Sequence, residues 1–402
     1  MAAAFIFAFT YVALSLGRVP GFRSDRFAAA IIGAVLVVAL RVLTLAEAQA
    51  AVDGTTLALL FGMMLLAAAL DVSRAFTLAA YWLTRRAKTP FALLTAISVT
   101  SAVLSALLIN DVVCIALTPL VLRVCESVKR DPKPYLLALA TSSNVGSVAT
   151  PTGNPQNILI ASLSRISYGR FARALVPVAI LALAVNVAII WWFHKKDMGG
   201  PFEETRRRRP RVYARWVWKS TIVVGAVLVA FAVGVPPAIA ALVGASMMML
   251  TRAVNPKRLY VRVEWTLLAL FASLFVVVAG VEKVGLPERL LHLLEPLHPE
   301  TPWGLTAVSA VLSNIVSNVP AVMVLKSVIP RLPNPESSWL VLAMASTLAG
   351  NLTLPGSIAS IIVVERASGH ATITFRDFFK VGAPIAIATM LIGATWLRFF
   401  GP

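Results

Sequence analysis

Ala140-Thr-Ser-Ser-Asn-Val-Gly-Ser-Val-Ala-Thr-Pro-Thr-Gly-Asn-Pro-Gln-Asn157 decides how this chain must fold. The stretch lies in a strongly apolar region, yet it holds two prolines, two glycines, three asparagines and several hydroxyls. A continuous helix cannot pass through Thr150-Pro-Thr-Gly-Asn-Pro155. Each proline removes a backbone donor and turns the residue before it away from the helical region. In lipid, broken backbone is tolerated only where it is buried in protein or lines a wet cavity. The stretch is therefore a misplaced loop or the floor of a binding site.

Composition places the break inside a membrane. Of 402 residues, 58% are hydrophobic and 13% charged, against about 25% charged in a soluble domain. The mean hydropathy is +0.83. The formal net charge of +18 would suggest nucleic acid in a soluble protein. Here the basic residues sit between apolar runs, as the positive-inside rule expects, and no nucleic-acid partner is implied. Two cysteines, Cys114 and Cys125, and four scattered histidines give neither a disulfide framework nor a metal site. The first apolar run, with no charged n-region, reads as a span and not as a signal peptide.

Spans need about 20 apolar residues. They are expected at 2–17, 27–45, 54–71, 172–193, 217–233, 237–251, 264–281 and 378–399, with two further crossings, 134–165 and 338–365, that are broken. Segments 90–125 and 302–331 enter and leave on one side, with polar tips at Ile109-Asn110-Asp111 and Ser317-Asn318-Val319. The basic segment 194–215, with Arg206 to Arg209, is expected in the cytoplasm and separates repeats at 1–193 and 216–402. Val103–Asn110 reads against Val311–Asn318, and Tyr168–Ile180 against Phe375–Ile387, at an offset of about 207 residues. The charge pattern turns the second half over. Two basic groups, Arg165/Arg170/Arg173 and Lys326/Arg331, fall outside in this topology and fit it poorly. The expected fold is all-α and polytopic, with about ten transmembrane helices, two re-entrant hairpins and two broken helices in an inverted repeat. Such repeats are the sequence pointer to a secondary transporter with its site near the midplane.

Hairpin tips and helix breaks expose free backbone groups at membrane depth, and half-helix N-termini attract anions. Asn110, Asn154, Asn157, Ser317, Asn318 and Asn351 supply donors and acceptors around one expected cavity, joined by Thr150 and Ser357. Gly153 and Gly356 allow close backbone approach at the two breaks. Asp111, the one acid at a hairpin tip, is read either as a proton carrier or as the cap of a helix starting at Val112. Cys114 reads as a small core residue.

These motifs resemble a known superfamily. The tips Ile-Asn110-Asp111 and Ser317-Asn318-Val319 are similar to the Ser-Asn-Thr tips of divalent-anion/sodium symporters. Asn110-Asp111 followed by Leu117-Thr118-Pro119 resembles the arsenite-pump membrane proteins more closely. Val148–Asn157 is similar to the Thr-Pro-Ile-Gly break shared across this ion-transporter superfamily. The resemblance covers nearly the whole chain. It implies a dimerising scaffold domain, a mobile transport domain and an elevator-type cycle in the cell inner membrane. It implies a non-enzymatic, proton-coupled secondary transporter of a small inorganic solute or anion, with arsenite or antimonite efflux as the leading reading. A sodium-coupled di- or tricarboxylate symporter and an anion channel are the alternatives. No cofactor is expected beyond a proton or sodium gradient. Expected partners are the bilayer, a second copy in a homodimer and, for an arsenite pump, a soluble ATPase subunit.

Overall fold

The computed structural model of the chain describes residues 2–16, 19, 22, 25–85, 87–196, 198–200, 202, 212, 214–250, 255–285 and 291–402. The central run Arg206–Arg209, and Arg18, Arg23, Arg86 and Arg252, lie outside them. Among the described residues the regular structure is helical: α1 (Ala2–Leu16), α2 (Arg26–Ala39), α3 (Leu45–Ala51), α4 (Gly54–Ser73), α5 (Ala75–Arg85), α6 (Pro90–Leu107), α7 (Asn110–Ser127), α8 (Lys133–Ser147), α9 (Pro155–Ser164) and α10 (Tyr168–His194). The second half adds α11 (Ala214–Ala232), α12 (Pro237–Met249), α13 (Lys257–Tyr260), α14 (Trp265–Glu282), α15 (Pro302–Val316), α16 (Asn318–Leu325), α17 (Pro335–Leu348), α18 (Ile358–Ala367) and α19 (Phe375–Phe400).

The helix starts repeat between the halves. Thr89 and Thr301 cap α6 and α15, and a proline follows each at the first helical position. That position needs no amide donor and suits the fixed φ of proline. A proline also opens each broken crossing, at Pro134 and Pro335. Ser167 and Thr374 cap the long helices α10 and α19.

Six of these helices, α4, α6, α10, α11, α14 and α19, are long and apolar enough to cross a bilayer. The chain is a multi-pass membrane protein. The ten expected spans do not all take the form of long continuous helices. The span expected at 27–45 stops at Ala39, because Arg41 takes a left-handed φ of 56° and a Thr44–Glu47 capping box starts α3. Residues 75–85, between the expected span 54–71 and the expected hairpin 90–125, form a further helix.

Two packed groups result. One gathers α1, α2, α4, α11, α12 and α14, with α12 on α4 and α14 on α2. The other gathers α6–α10 and α15–α19, with α6 on α8, α10 on α19 and α15 on α17. Both draw helices from both halves of the chain. They meet where α4 touches α9, α14 touches α16 and α1 touches α15, and the Tyr11 hydroxyl donates to the Pro320 carbonyl at 3.2 Å.

Polar contacts sort the helix ends into two sets. At one end Asp71 pairs with Arg262 (2.8 Å) and Lys133 with Asp377 (3.1 Å). At the other, Glu47 pairs with Lys283 (2.7 Å), Ser162 donates to Asp53 (2.8 Å), Arg170 pairs with Glu336 (2.9 Å) and Lys326 lies 3.4 Å from Glu282. Two of the basic residues that fit the charge pattern poorly, Arg170 and Lys326, are thus matched by acids. The α8–α9 crossing runs from the Lys133 end to the Asp53 end, and the α17–α18 crossing starts at Glu336 and returns toward Asp377. The two broken helices are antiparallel.

Candidate solute site

The two breaks share a plan of helix, 3-10 turn and helix, with one turn more in the second. The first runs from α8 through a single 3-10 turn, Pro151–Gly153, into α9. The second runs from α17 through turns at Ala349–Asn351 and Leu354–Gly356 into α18. Prolines inside these turns and extended caps at Asn154 and Ser357 prevent the helices from joining. Thr150 donates its hydroxyl to the Ala106 carbonyl of the first hairpin, and Thr353 donates to Asn314 Oδ1 of the second at 2.8 Å. Ala106 and Asn314 occupy matching places in the Val103–Asn110 and Val311–Asn318 segments.

The hairpin tips reach this depth. Asn110 and Asp111 open α7 and are each 4% exposed. The cap position is Ile109, so Asp111 stands in the first helical turn and does not cap a helix starting at Val112. A carboxylate there faces the positive end of the helix dipole. In the second tip Ser317 takes φ 74° and ψ 161°, a region that is essentially reserved for glycine and costs of order 1–3 kcal/mol for other residues.

Asn144 joins the parts. Its Oδ1 accepts from Asn110 Nδ2 and from Ser357 Oγ, both at 3.0 Å, and its Nδ2 donates to Asn351 Oδ1 at 2.9 Å. Asn351 Nδ2 then donates to the Thr141 carbonyl at 3.2 Å. Asn144 and Asn351 are 207 residues apart in sequence, the offset of the repeat, so the two halves meet through matching residues. The Thr141 carbonyl can only accept. It therefore fixes the orientation of each amide in turn, and the relay terminates in Asn110 Oδ1, which has no hydrogen-bond partner.

A second branch surrounds the other tip. Asn154 Nδ2 donates to Ser147 and Thr347 hydroxyls at 3.0 Å each, and its Oδ1 accepts the Asn157 amide at 2.8 Å. Asn157 Nδ2 donates to the Ser147 and Thr150 carbonyls (3.0 and 3.2 Å), which leaves Asn157 Oδ1 as another unpartnered acceptor. With its amide assigned by surrounding donors and acceptors, Asn318 donates to the Ser346 and Gly356 carbonyls (3.0 and 3.2 Å) and accepts from Gln156 Nε2 (3.2 Å).

All eleven residues read from the sequence as site residues thus lie at the breaks and tips. Asn110, Ser357 and Asn351 share the first branch, and Asn154, Asn157, Asn318 and the Gly356 carbonyl share the second. Thr150 links its break to the first hairpin. Gly153 provides close packing: a Cβ there would lie 2.2 Å from the Ser147 carbonyl oxygen. Ser317 provides the tip turn, and Asp111 lies beside Asn110 in the same helical turn. Residues missed from sequence are Asn144, Ser147, Gln156, Asn314 and Thr347. The repeat offset between Asn144 and Asn351 was the available signal for the first. Near the Asp53 end a cleft of about 480 Å³ opens between the end of α9 and the start of α17, lined by Ser164, Arg165, Arg170, Glu336 and Trp339.

The chain resembles proteins of known name along nearly its whole length. The citrate transporter family model, CitMHS, matches residues 11–349. The rice silicon efflux transporter LSI3 is 29% identical, the match covering 93% of each chain. A Dictyostelium discoideum protein named for the arsB transporters is 25% identical over 94% of this chain and 88% of its own. The Escherichia coli inner membrane protein YbiR is 30% identical over 86% of this chain and 87% of its own. The crystal structure of the Alcanivorax borkumensis YdaH transporter, described as having an unusual topology, aligns with a TM-score of 0.63 at 14% identity, covering 100% of this chain and 98% of that one. This last likeness concerns the fold.

Proposed function

The chain belongs to the CitMHS citrate transporter family, within the ArsB-like permeases, and is a secondary transporter; from that premise we propose that it exports a small hydroxylated inorganic solute, with arsenite or antimonite the leading candidate, in exchange for protons. One observation carries the choice of solute. The buried relay anchored at the Thr141 carbonyl presents an acceptor, Asn110 Oδ1, at its free end. A buried acceptor is stabilised by a donor, and a trivalent metalloid hydroxide offers hydroxyl donors without bringing a charge into the membrane. The silicon efflux named for the rice relative agrees with an exported inorganic solute. In this proposal Asp111, in the same turn as Asn110, carries the proton.

In this reading the packed groups act as a scaffold and a moving body in an elevator-type cycle. The repeats at 1–193 and 216–402 are inverted, the Lys133/Asp377 end faces the cytoplasm of the inner membrane, and the protein forms a homodimer. A carboxylate symporter is the second reading. It is favoured by the helix N-termini of α7, α9, α16 and α18 at the network, which suit an anion, and by the family's citrate description.

Proteoliposomes test this directly. An imposed pH gradient should drive saturable uphill arsenite or antimonite flux, and Asp111→Asn should abolish the coupling while leaving the melting temperature intact. Sodium-driven citrate or succinate uptake, with metalloid flux indifferent to pH, would overturn the proposal in favour of the symporter.

A further inference from the structure

The helix pair that clasps the network also carries an unusual surface at its Lys133/Asp377 end. The last turns of α10 expose Trp191, Trp192 and Phe193 at 40%, 64% and 38%, and the first turns of α19 expose Phe375 and Phe379 at 53% and 45%. Four exposed cations are interleaved with them: Lys195, Lys196, Arg376 and Lys380. The two helices form one patch, because Lys380 Nζ, on α19, lies 5.7 Å from the Phe193 ring of α10. Lys195 Nζ sits 4.2 Å from the Trp192 ring, Phe375 and Phe379 stack at 5.9 Å, and Phe91 of the first hairpin meets Trp191 edge-on at 6.0 Å. The acid among the described patch residues, Asp377, is engaged by Lys133 and by the Thr374 capping box. Among the described residues the cations are therefore in surplus.

We infer that this patch binds the headgroups of anionic phospholipids, and that such lipids set the activity of the protein. Aromatic rings of this kind settle at headgroup level, and lysine and arginine beside them meet lipid phosphates. Ammonium groups held over ring faces lose less freedom when a phosphate arrives. The patch also has a route to the network. Asn186 on α10 donates to the Ser142 hydroxyl of α8 at 2.7 Å. On α19, Gly382 packs so tightly on the second break that a Cβ would lie 2.3 Å from the Asn351 carbonyl oxygen. A lipid that holds this end of α10 and α19 holds the helices on which both breaks rest.

The test uses the full chain in liposomes carrying brominated lipid, which quenches nearby tryptophan fluorescence. Brominated phosphatidylglycerol is expected to quench at a several-fold lower mole fraction than brominated phosphatidylcholine, and W191F/W192F to remove that excess. K195Q/K196Q and R376Q/K380Q should each lower the relative binding constant for anionic lipid at least about five-fold, with unchanged melting temperature. These pairwise variants divide the test, so it does not depend on a fourfold change folding. Equal quenching by the two lipids in the natural protein would overturn the inference. So would a preference that survives both pairwise variants, or displacement by millimolar soluble glycerol phosphate, which would indicate a free-phosphate site. Binding is read independently of transport, so failure of the proposed solute would leave this result standing.

Discussion

Replacing Asn144 by alanine removes three buried hydrogen bonds at once: those from Asn110 and Ser357 and that to Asn351. Bonds between membrane-embedded helices average about 0.6 kcal/mol, with a maximum near 1.7. Three of them therefore give a loss of about 2–5 kcal/mol, the upper part applying because three partners stay buried beside the space the side chain leaves. A double-mutant cycle isolates the relay from this bulk effect. If Asn144 Nδ2 and Asn351 Oδ1 interact as described, N144A/N351A should cost about 0.6–1.7 kcal/mol less than the sum of the single changes. Equilibrium unfolding in mixed micelles with a denaturing detergent measures each corner. Asn186→Ala, which breaks a separate bond to Ser142, serves as the control and should add to N144A within about 0.5 kcal/mol. Additive behaviour of N144A and N351A, alongside an additive control, would refute the relay and the acceptor-ended site built on it.

Three further outcomes follow from single features. Ser317→Gly should stabilise the protein by about 1 kcal/mol, by relieving the backbone at φ 74°, whereas Ser317→Ala should gain nothing; thermal melting in detergent distinguishes them. Gly146→Ala should cost about 3 kcal/mol or prevent folding, because its Cβ would lie 2.1 Å from the Ala102 carbonyl oxygen and both atoms are backbone-fixed; the yield of monodisperse protein reports it. Glu47 is held down to about 2 from 4.5, first by its hydrogen bond with Lys283 and then by Thr44. A depressed carboxyl contributes stability that is present above its unfolded value and lost as the pH falls through its folded value. Melting temperature should therefore fall between about pH 4.5 and 2, and Lys283→Gln should flatten that fall.

The architecture was legible because the membrane makes local rules strict. Unpaired backbone is intolerable in lipid, so Thr150-Pro-Thr-Gly-Asn-Pro155 had to be buried in protein or line a wet cavity, and the 3-10 turn at Pro151–Gly153 is buried. Proline stands in the first helical turn at the starts of both hairpins and both broken crossings, a signal that the reading of apolar runs and charges did not use. Asp111 shows where local reading stops. The sequence read Asp111 either as a proton carrier or as the cap of a helix starting at Val112, and the cap reading fails because α7 begins at Asn110 with Ile109 at the cap position. Likewise the end of α2 at Ala39 goes with a left-handed Arg41 and the Thr44–Glu47 cap; Arg41 is the one charge inside the expected span 27–45, and apolar residues on both sides of it hid the break.

By itself the sequence determined the helical membrane class, the pairing of hairpin with break in each half, and the residue types available at membrane depth. These follow from composition, proline chemistry and an offset that can be counted. Tertiary structure alone decided that Asn144, 207 residues before its partner, is the junction, and that the amides point their oxygens outward from the Thr141 carbonyl. It also decided that α10 and α19 bring their aromatic and cationic ends together. Hydrogen-bond polarity is a property of a whole chain of partners, and those partners come from segments that only the fold brings within 3 Å of one another.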